Sequence, residues 1–319
     1  MPVTMPVTMP TRSRKAILYS LLLVTFLVYT LYLWNSPPEA LSPMPGTYRY
    51  FSEINFEYHT HSFGAISHCD PRFAPSQPPG IEETKKTLSA LMKSYAATMR
   101  DLRAETWIAH GTLLGWHWNQ KFLPWDNDID VQMSVETLAG LVPHNTSEYR
   151  YTVAGEDTPR VYLLDINPHY TIASTRDVAN KIDGRWIDTT NGKYVDITAV
   201  HVSPGKTEHI PFDQGVLFCK DGHRYRVRTT ASPGKRTKRA NQVGLQSEDL
   251  FPLQDASFEG ISVKVPHDSD KVLTEEYGKK SLTQTRFHWY VIAVTLYSAS
   301  GLTLNRHRFN KASKIWEAE

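Results

Sequence analysis

The sequence predicts an α/β (α+β) domain that follows an N-terminal transmembrane helix and a proline-rich stem. Residues 81–103 carry apolar side chains three and four positions apart, which is typical of an amphipathic helix. Residues 107–133 have the pattern of a short strand, a Gly-Thr turn, a helix, a loop and a second strand. Residues 185–200 contain two strand-like runs joined by Asn191-Gly192, a strong hairpin signal. Helical and strand patterns thus alternate within one folded region.

Composition excludes several classes of protein. The chain has 319 residues, of which 40% are hydrophobic and 21% charged, and these values exclude a wholly disordered chain, a collagen-like repeat and a polytopic membrane protein. A formal net charge of +2 excludes a globally basic nucleic-acid binder, though not a local basic patch. The basic segment at 220–239 lacks interleaved aromatic residues beyond Tyr225 and the body is expected to face a lumen, so we expect no nucleic-acid partner. Two cysteines exclude a disulfide-rich scaffold and a zinc site of four cysteines.

The N-terminal region predicts a membrane anchor. Residues 16–34 contain no charge and would span about 28 Å as a helix, close to the thickness of a bilayer core. Arg12, Arg14 and Lys15 precede this span, and no charge follows it until Glu39. The asymmetry predicts a single-pass type II protein with a cytosolic tail, residues 1–15, and a lumenal or external body. The alternative is a cleaved signal peptide, which usually has a shorter apolar region.

Residues 35–80 are predicted to form an extended stem because prolines break helices and remove ladder donors. Aromatic residues in its later half suggest that this half lies against the body. His59, His61, His68 and Cys69 are potential metal ligands, but their spacing matches no usual zinc pattern. Cys69 and Cys219 could pair in an oxidising lumen.

An acidic motif on the second strand predicts a metal site. With a period of two, Asp128, Asp130 and Gln132 point to one face of that strand, while Ile129 and its alternate neighbours point into the core. Two carboxylates on one strand face repel each other unless a cation lies between them. Hard oxygen ligands suit Mg2+ or Mn2+. The alternative is a solvated acidic edge, or an Asx-type turn around Asp126-Asn127.

A third carboxylate is expected on a neighbouring strand, in residues 193–200. There Asp196 faces away from Val195 and Ile197. Asp188 lies on the preceding run, and a hairpin would bring it near the same site. For both aspartates the alternative is a strand-end carboxylate bonded to turn amides.

The Gly-Thr turn before the first helix predicts a place for phosphate. Gly111 lets the backbone approach a ligand closely, and the N-terminus of the following helix offers free N–H groups. Thr112 adds a hydroxyl beside them.

The motifs together resemble the LicD family, which includes bacterial phosphocholine transferases, fukutin-type ribitol-phosphate transferases and fungal wall mannosylphosphorylation proteins. The central match is His-Gly-Thr-Leu-Leu-Gly at 110–115 followed by Pro-Trp-Asp-Asn-Asp-Ile-Asp at 124–130. Further matches are Arg-Trp-Ile-Asp at 185–188, Asp-Ile-Thr at 196–198 and Glu-Tyr-Gly at 276–278. The resemblance covers roughly residues 70–280.

This resemblance implies a nucleotidyltransferase-like mixed sheet flanked by helices. It implies transfer of a phosphorylated group from a nucleotide-activated donor to a glycan or glycoprotein acceptor, in the Golgi or endoplasmic reticulum lumen. Asp128, Asp130 and Asp196 would be the metal-binding and catalytic residues. The residues expected to bind substrate or nucleotide are His110, Gly111, Thr112, Asp126, Arg185 and Asp188.

Two other functions remain open. A type II anchor, a stem and Asp-x-Asp equally fit a manganese-dependent glycosyltransferase with Asp128 and Asp130 as its metal site. A non-catalytic regulator of a mannosylphosphate transferase is the third possibility. The predicted catalytic domain spans residues 81–288. The C-terminal segment, 289–319, departs from the family because a largely apolar stretch interrupts it, either an extra buried strand or helix or a gene-model artefact.

Overall fold

The computed structural model of this protein describes residues 49–53, 68–76, 79–153, 155–172, 179–202, 217–219, 224–225, 247–291 and 303–318. Most of residues 220–239, a segment rich in Lys and Arg, and the predicted anchor, residues 16–34, lie outside these ranges. No helix among the described residues is long and apolar enough to cross a membrane.

The predicted α/β class is confirmed, because helices pack on a central mixed sheet. The α-helices are α1 (Ile81–Asp101), α2 (His110–Asn119), α3 (Val135–Leu141), α4 (Ser247–Leu250) and α5 (Ser269–Tyr277), and 3₁₀ turns cover Val142–His144 and Lys279–Leu282. The strands are β1 (Thr106–Ile108), β2 (Asp130–Ser134), β3 (Glu148–Tyr151), β4 (Arg160–Ile166), β5 (Gly184–Asp188), β6 (Tyr194–Val202), β7 (Leu217–Phe218), β8 (Arg224–Tyr225), β9 (Gln254–Phe258), β10 (Ile261–Val265), β11 (Arg286–Val291), β12 (Thr303–Asn310) and β13 (Ile315–Ala318).

Within the described ranges, the main sheet has eight strands. Its main path runs β1-β2-β6-β5-β4-β3, and β7 and β8 extend from β6. Only β2 and β6 pair in parallel, and every other pair in the sheet is antiparallel. A hairpin of β9 and β10 and a three-stranded sheet of β11, β12 and β13 are separate from this path. The expected hairpin around Asn191-Gly192 is confirmed as β5 and β6.

Helix α1 buries the apolar face that its sequence predicts. Leu88, Leu91, Tyr95 and Met99 are at most 1% exposed and belong to the main core. Trp186 of β5 lies beneath the helix, and its indole N–H donates to the Ser94 hydroxyl at 3.0 Å. Acidic residues in the first turn and Arg100 in the last complement the helix dipole.

The C-terminal strands cover the loop that leads to β2. Phe309 and Trp316 pack with Leu123 in a second, smaller cluster. Trp125 stacks on Phe287 with 4.3 Å between the ring centroids. Part of the C-terminal segment that we considered doubtful, residues 303–318, therefore packs on the domain, while 292–302 lie outside the described residues.

A glycine in α2 is required by close packing. A Cβ added at Gly115 would lie 2.5 Å from the Lys121 carbonyl oxygen, whereas one added at Gly140 would meet nothing within 4 Å. We expect Gly115→Ala to lower the free energy of unfolding by about 1–3 kcal/mol through overpacking. Gly140→Ala, the matched control in α3, is expected to raise it by roughly 0.4–1 kcal/mol. Urea denaturation measures both, and equal effects at the two positions would contradict the packing described for α2.

Candidate functional site

The acidic loop between α2 and β2 carries the predicted metal ligands. Asp128 precedes β2 and Asp130 is its first residue, so the strand begins later than the sequence suggests. The Thr112 hydroxyl accepts the backbone N–H of Asp130 at 3.0 Å, and the Ala109 N–H donates to the Asp130 carbonyl oxygen at 3.0 Å. The Gly-Thr turn therefore fixes the start of β2, and Thr112, only 1% exposed, is a positioning residue in this structure.

The sheet brings Asp196 beside Asp130, as the sequence predicts. Parallel pairing of β2 and β6 places the two residues in register. The Asp196 N–H donates to the Ile129 carbonyl oxygen at 2.9 Å, which ties the two strands together at this point.

The period of two placed Gln132 on the same face of β2 as Asp128 and Asp130, but the structure does not leave Gln132 open to a ligand. Gln132 is 1% exposed, and its side-chain oxygen accepts the Trp107 indole N–H at 3.1 Å. Its side-chain N–H group contacts the Cys219 sulfur. The acidic site is therefore confined to the N-terminal end of β2.

Crowded carboxylates give this end of the sheet an unbalanced negative charge. Burial, followed by repulsion from Asp128, raises the pKa of Asp130 to about 7. The same two causes raise the pKa of Asp126 well above its ordinary value. One carboxylate oxygen of Asp126, Oδ2, is buried without a hydrogen-bond partner. An orphaned buried oxygen beside two more carboxylates fits a divalent cation that prefers oxygen ligands.

The side chains of the acidic site are not arranged as the coordination shell of such an ion. Among the described residues, no three His, Cys, Asp or Glu side chains are arranged closely enough to hold a metal. The donor set fits Mg2+ or Mn2+ in kind, and its carboxylates would have to move closer together to bind either ion.

Gly111 lies against the Asp126 carboxylate. A Cβ at position 111 would come within 3.0 Å of Asp126 Oδ2, so only glycine leaves this oxygen its space. The glycine therefore brings the N-terminus of α2 up to a carboxylate of the acidic loop.

His110 links the site to α5. Its Nδ1 lies 2.7 Å from Glu276 Oε1, at the C-terminal end of that helix. Tyr277 follows and is 44% exposed, but desolvation of its hydroxyl together with the nearby Glu276, Asp130 and Asp126 raises the pKa of that group. In the sequence Glu276 and Tyr277 stand out only as part of a family motif, since no local pattern shows that α5 ends beside the acidic loop.

Arg185 is buried as the counter-ion of Asp196. Its Nε donates to Asp196 Oδ1 at 2.9 Å, and its two terminal nitrogens donate to the Ser52 carbonyl oxygen at 3.1 Å and to Glu53 Oε1 at 2.9 Å. The guanidinium lies 3.7 Å from the Tyr194 ring centroid, and the whole residue is 1% exposed. We expected Arg185 to bind substrate, but in the structure its guanidinium group is hydrogen-bonded to groups of the protein.

Asp188 is not brought to the acidic loop. It lies three residues from Arg185, on the opposite face of β5. Its carboxylate accepts from Arg160 at 2.9 Å and from the Thr190 N–H at 2.9 Å. Asp188 therefore matches the alternative expectation, a strand-end aspartate that is hydrogen-bonded to an amide of its own turn.

The predicted stem contributes a histidine that we had not assigned to this site. His68 Nε2 lies 3.4 Å from Asp128 Oδ2, and its Nδ1 lies 3.9 Å from Asp196 Oδ2. Burial favours the neutral imidazole, but the attraction of Asp196 and Asp128 outweighs it and raises the pKa of His68.

The two cysteines form no disulfide. The Cys69 sulfur contacts the Asn191 carbonyl oxygen at 3.1 Å, and burial raises the pKa of its thiol to about 11. Cys219 follows β7 and lies against Gln132.

Comparison with known proteins identifies the family. The model described as LicD/FKTN/FKRP, nucleotidyltransferase domain, matches residues 103–268, just over half of the chain. The chain belongs to the LicD family. The matched segment contains the acidic loop, β5 and β6, and it leaves out both the His68 segment and α5 from Ser269 onward.

Two curated relatives come from Saccharomyces cerevisiae strain S288c. Mannosyltransferase regulator 4 is 31% identical over 123 residues, which are 37% of this chain and 10% of that protein. Mannosyltransferase regulator 14 is 31% identical over 126 residues, which are 38% of this chain and 13% of that protein. The chain thus spans only a small part of the length of these relatives.

Proposed function

We propose that this protein transfers a phosphorylated group from a nucleotide-activated donor to a glycan hydroxyl, in the modification of a glycoprotein or a cell-wall glycan. The observation that carries the proposal is the register of β2 and β6, which puts Asp130 beside Asp196 at the point where the acidic loop delivers Asp126 and Asp128. The LicD family assignment supports the same reaction class.

In this reaction Asp128 and Asp130 would hold the cation, Mg2+ or Mn2+. The bound cation would neutralise the donor diphosphate and the departing nucleotide. Two roles fit Asp196, which either completes the cation shell or accepts the proton of the attacking hydroxyl. Arg185 holds Asp196 in place through its Nε.

The N-terminus of α2 would orient the donor. The backbone N–H groups of its first turn, approached past Gly111, would suit a phosphate oxygen. His110, held by Glu276, stands at the same end of the helix and adds a second donor group. Thr112 keeps β2 in register with this helix end.

A regulatory role is the second candidate, and a specific observation favours it. Both yeast relatives are named mannosyltransferase regulators. Here His68 lies 3.4 Å from Asp128 and Arg185 lies 2.9 Å from Asp196, so side chains of the chain itself already face two of the carboxylates that would hold a cation. On this reading the protein would act on a mannosylphosphate transferase rather than carry out the chemistry.

A manganese-dependent glycosyltransferase is distinguished by its product. Phosphoryl transfer leaves a phosphodiester in the glycan, whereas glycosyl transfer leaves a plain glycosidic bond. We further propose that residues 16–34 anchor the protein and place its catalytic body in the Golgi or endoplasmic reticulum lumen.

A panel of nucleotide-activated donors tests the proposed function. Purified protein is incubated with each donor and with Mn2+ or Mg2+, and nucleotide release is scored with and without a mannose-containing glycan. We expect release that depends on one donor, on the cation and on the glycan, and that Asp128→Asn abolishes. Asp255→Asn, whose side chain is 84% exposed on β9, is the control and should keep full activity. No release with any donor would favour the regulator.

A further inference from the structure

A short segment outside the matched family domain is fixed firmly against the acidic site. The Asp70 N–H donates to the Gly192 carbonyl oxygen at 2.8 Å, and Cys69 forms an antiparallel bridge with Lys193. Arg72 then joins Asp70 to Asp165 of β4, with its Nη2 2.6 Å from Asp165 Oδ2. Residues 68–76 are therefore held to the turn between β5 and β6 and to β4.

This attachment sets the position of His68. The residue has φ 63° and directs its imidazole between Asp128 and Asp196, with its ring edge towards Tyr194 at 6.1 Å between centroids. Neither carboxylate contact is a good hydrogen bond, because the Nε2 distance is 3.4 Å and the Nδ1 distance is 3.9 Å. Nδ1 is buried without a hydrogen-bond partner. A histidine serving only to pack the segment would be expected to satisfy both nitrogens.

The spacing suits two ligands of one ion. Two ligand atoms about 2.1 Å from the same cation are roughly 3.0–3.4 Å apart, for octahedral and tetrahedral angles respectively. The 3.4 Å between His68 Nε2 and Asp128 Oδ2 is about 0.4 Å longer than the octahedral value, so a small movement of either side chain would bring both atoms to one ion. A histidine that binds a metal commonly donates its other ring N–H to a carboxylate, and Asp196 lies on that side.

We propose that His68 is a cation ligand, binding through Nε2 together with Asp128, while Asp196 orients the ring through Nδ1. The inference rests on the cation site of the proposed function and adds a nitrogen ligand from the stem, outside the family domain. An imidazole ligand favours Mn2+ over Mg2+, which prefers oxygen. The protein should therefore bind Mn2+ more tightly than Mg2+.

The competing explanation is that His68 is a counter-ion occupying the place of the cation. The two explanations predict opposite effects of its removal. If His68 is a ligand, its loss weakens binding of Mn2+. If it is a counter-ion, its loss exposes the carboxylates of Asp128 and Asp196 and strengthens binding.

Binding of Mn2+ to the purified full-length protein at pH 8 distinguishes the two explanations. Calorimetry measures the affinity, and pulsed electron paramagnetic resonance detects the coupling of Mn2+ to a ligand nitrogen. We expect His68→Ala to raise the Kd for Mn2+ at least about tenfold, with loss of the nitrogen coupling and little change for Mg2+. His68→Asp should recover most of the affinity and remove the preference for Mn2+. His117→Ala is the control, since His117 pairs with Asp270 at the other end of α2 and should keep both affinity and coupling.

Three results would overturn the inference. Tighter or unchanged Mn2+ binding by a folded His68→Ala variant identifies a counter-ion. Mn2+ binding by the wild type without nitrogen coupling removes His68 as a ligand and leaves the carboxylate site standing. If the wild type binds no Mn2+, the cation site of the proposed function fails as well.

Discussion

Replacing Asp130 with asparagine is expected to abolish transfer and, at the same time, to make the cation-free protein more stable. Burial and the Asp128 charge raise the pKa of Asp130 to about 7 in the folded protein, against an ordinary value of 3.8. When the pH exceeds the ordinary pKa of aspartate, a carboxyl group that is costly to ionise in the folded protein lowers the stability of the folded state. Asparagine removes the charge and also removes the proposed cation ligand.

The sign of the pH dependence follows from this shift. Because the folded pKa of Asp130 is raised, its contribution is most favourable below about pH 4 and is lost as the pH rises towards 7. The difference in stability between Asp130→Asn and the wild type should therefore grow over that interval. At pH 8 without divalent cations, we expect the variant to melt several degrees higher, corresponding to about 1–2 kcal/mol.

Thermal melts across pH 4–8, with a chelator and then with Mn2+, measure this effect. Mn2+ should raise the melting temperature of the wild type and leave that of Asp130→Asn unchanged. Asp255→Asn, on the exposed side of β9, serves as the control and should follow the wild type in every condition. A variant that melts lower than the wild type at pH 8 would mean that Asp130 is stabilised by contacts that outweigh its repulsion.

Replacing Arg185 with lysine is expected to be the most destabilising conservative change near the site. Lysine keeps the positive charge but cannot donate at once to Asp196, the Ser52 carbonyl oxygen and Glu53. A buried carboxylate left without its partner costs several kcal/mol, and the retained charge recovers part of that. We expect a loss of about 2–4 kcal/mol in the free energy of unfolding.

The same variant should also release the segment 49–53. Hydrogen exchange at these residues should become at least about tenfold faster, because the guanidinium is their main tie to β5. Arg150→Lys, at an exposed position on β3, is the control and should change neither stability nor exchange. Unchanged protection of 49–53 in Arg185→Lys would show that Arg185 does not hold the segment in place.

The acidic loop and its partner strand could be predicted because their signals are local. The alternation of side chains along a strand places Asp196 on the face opposite to Val195 and Ile197, and an Asn-Gly turn indicates the β5–β6 hairpin. The parallel pairing that sets Asp130 beside Asp196 has no local signal. Only a third carboxylate on a neighbouring strand was expected, and the structure confirms that Asp130 and Asp196 are neighbours.

The rest of the site depends on contacts between residues far apart in the chain. Glu276 reaches His110 across 166 positions, and Glu53 reaches Arg185 across 132. Sequence periodicity carries no information on such contacts, so His68, Glu53 and Glu276 were not assigned to this site. Asp188, in contrast, was assigned to the site but does not lie in it. Its place in the hairpin suggested a shared site, but side chains alternate along a strand and that of Asp188 lies on the other face.

Analysis of the glycan product by phosphorus nuclear magnetic resonance tests the central claim most directly. Wild-type protein, a nucleotide-activated donor, Mn2+ and a mannose-containing acceptor should yield a phosphodiester signal that is absent with Asp130→Asn. A phosphodiester formed equally well by a folded Asp130→Asn variant, or a product joined only by a glycosidic bond, would contradict the account.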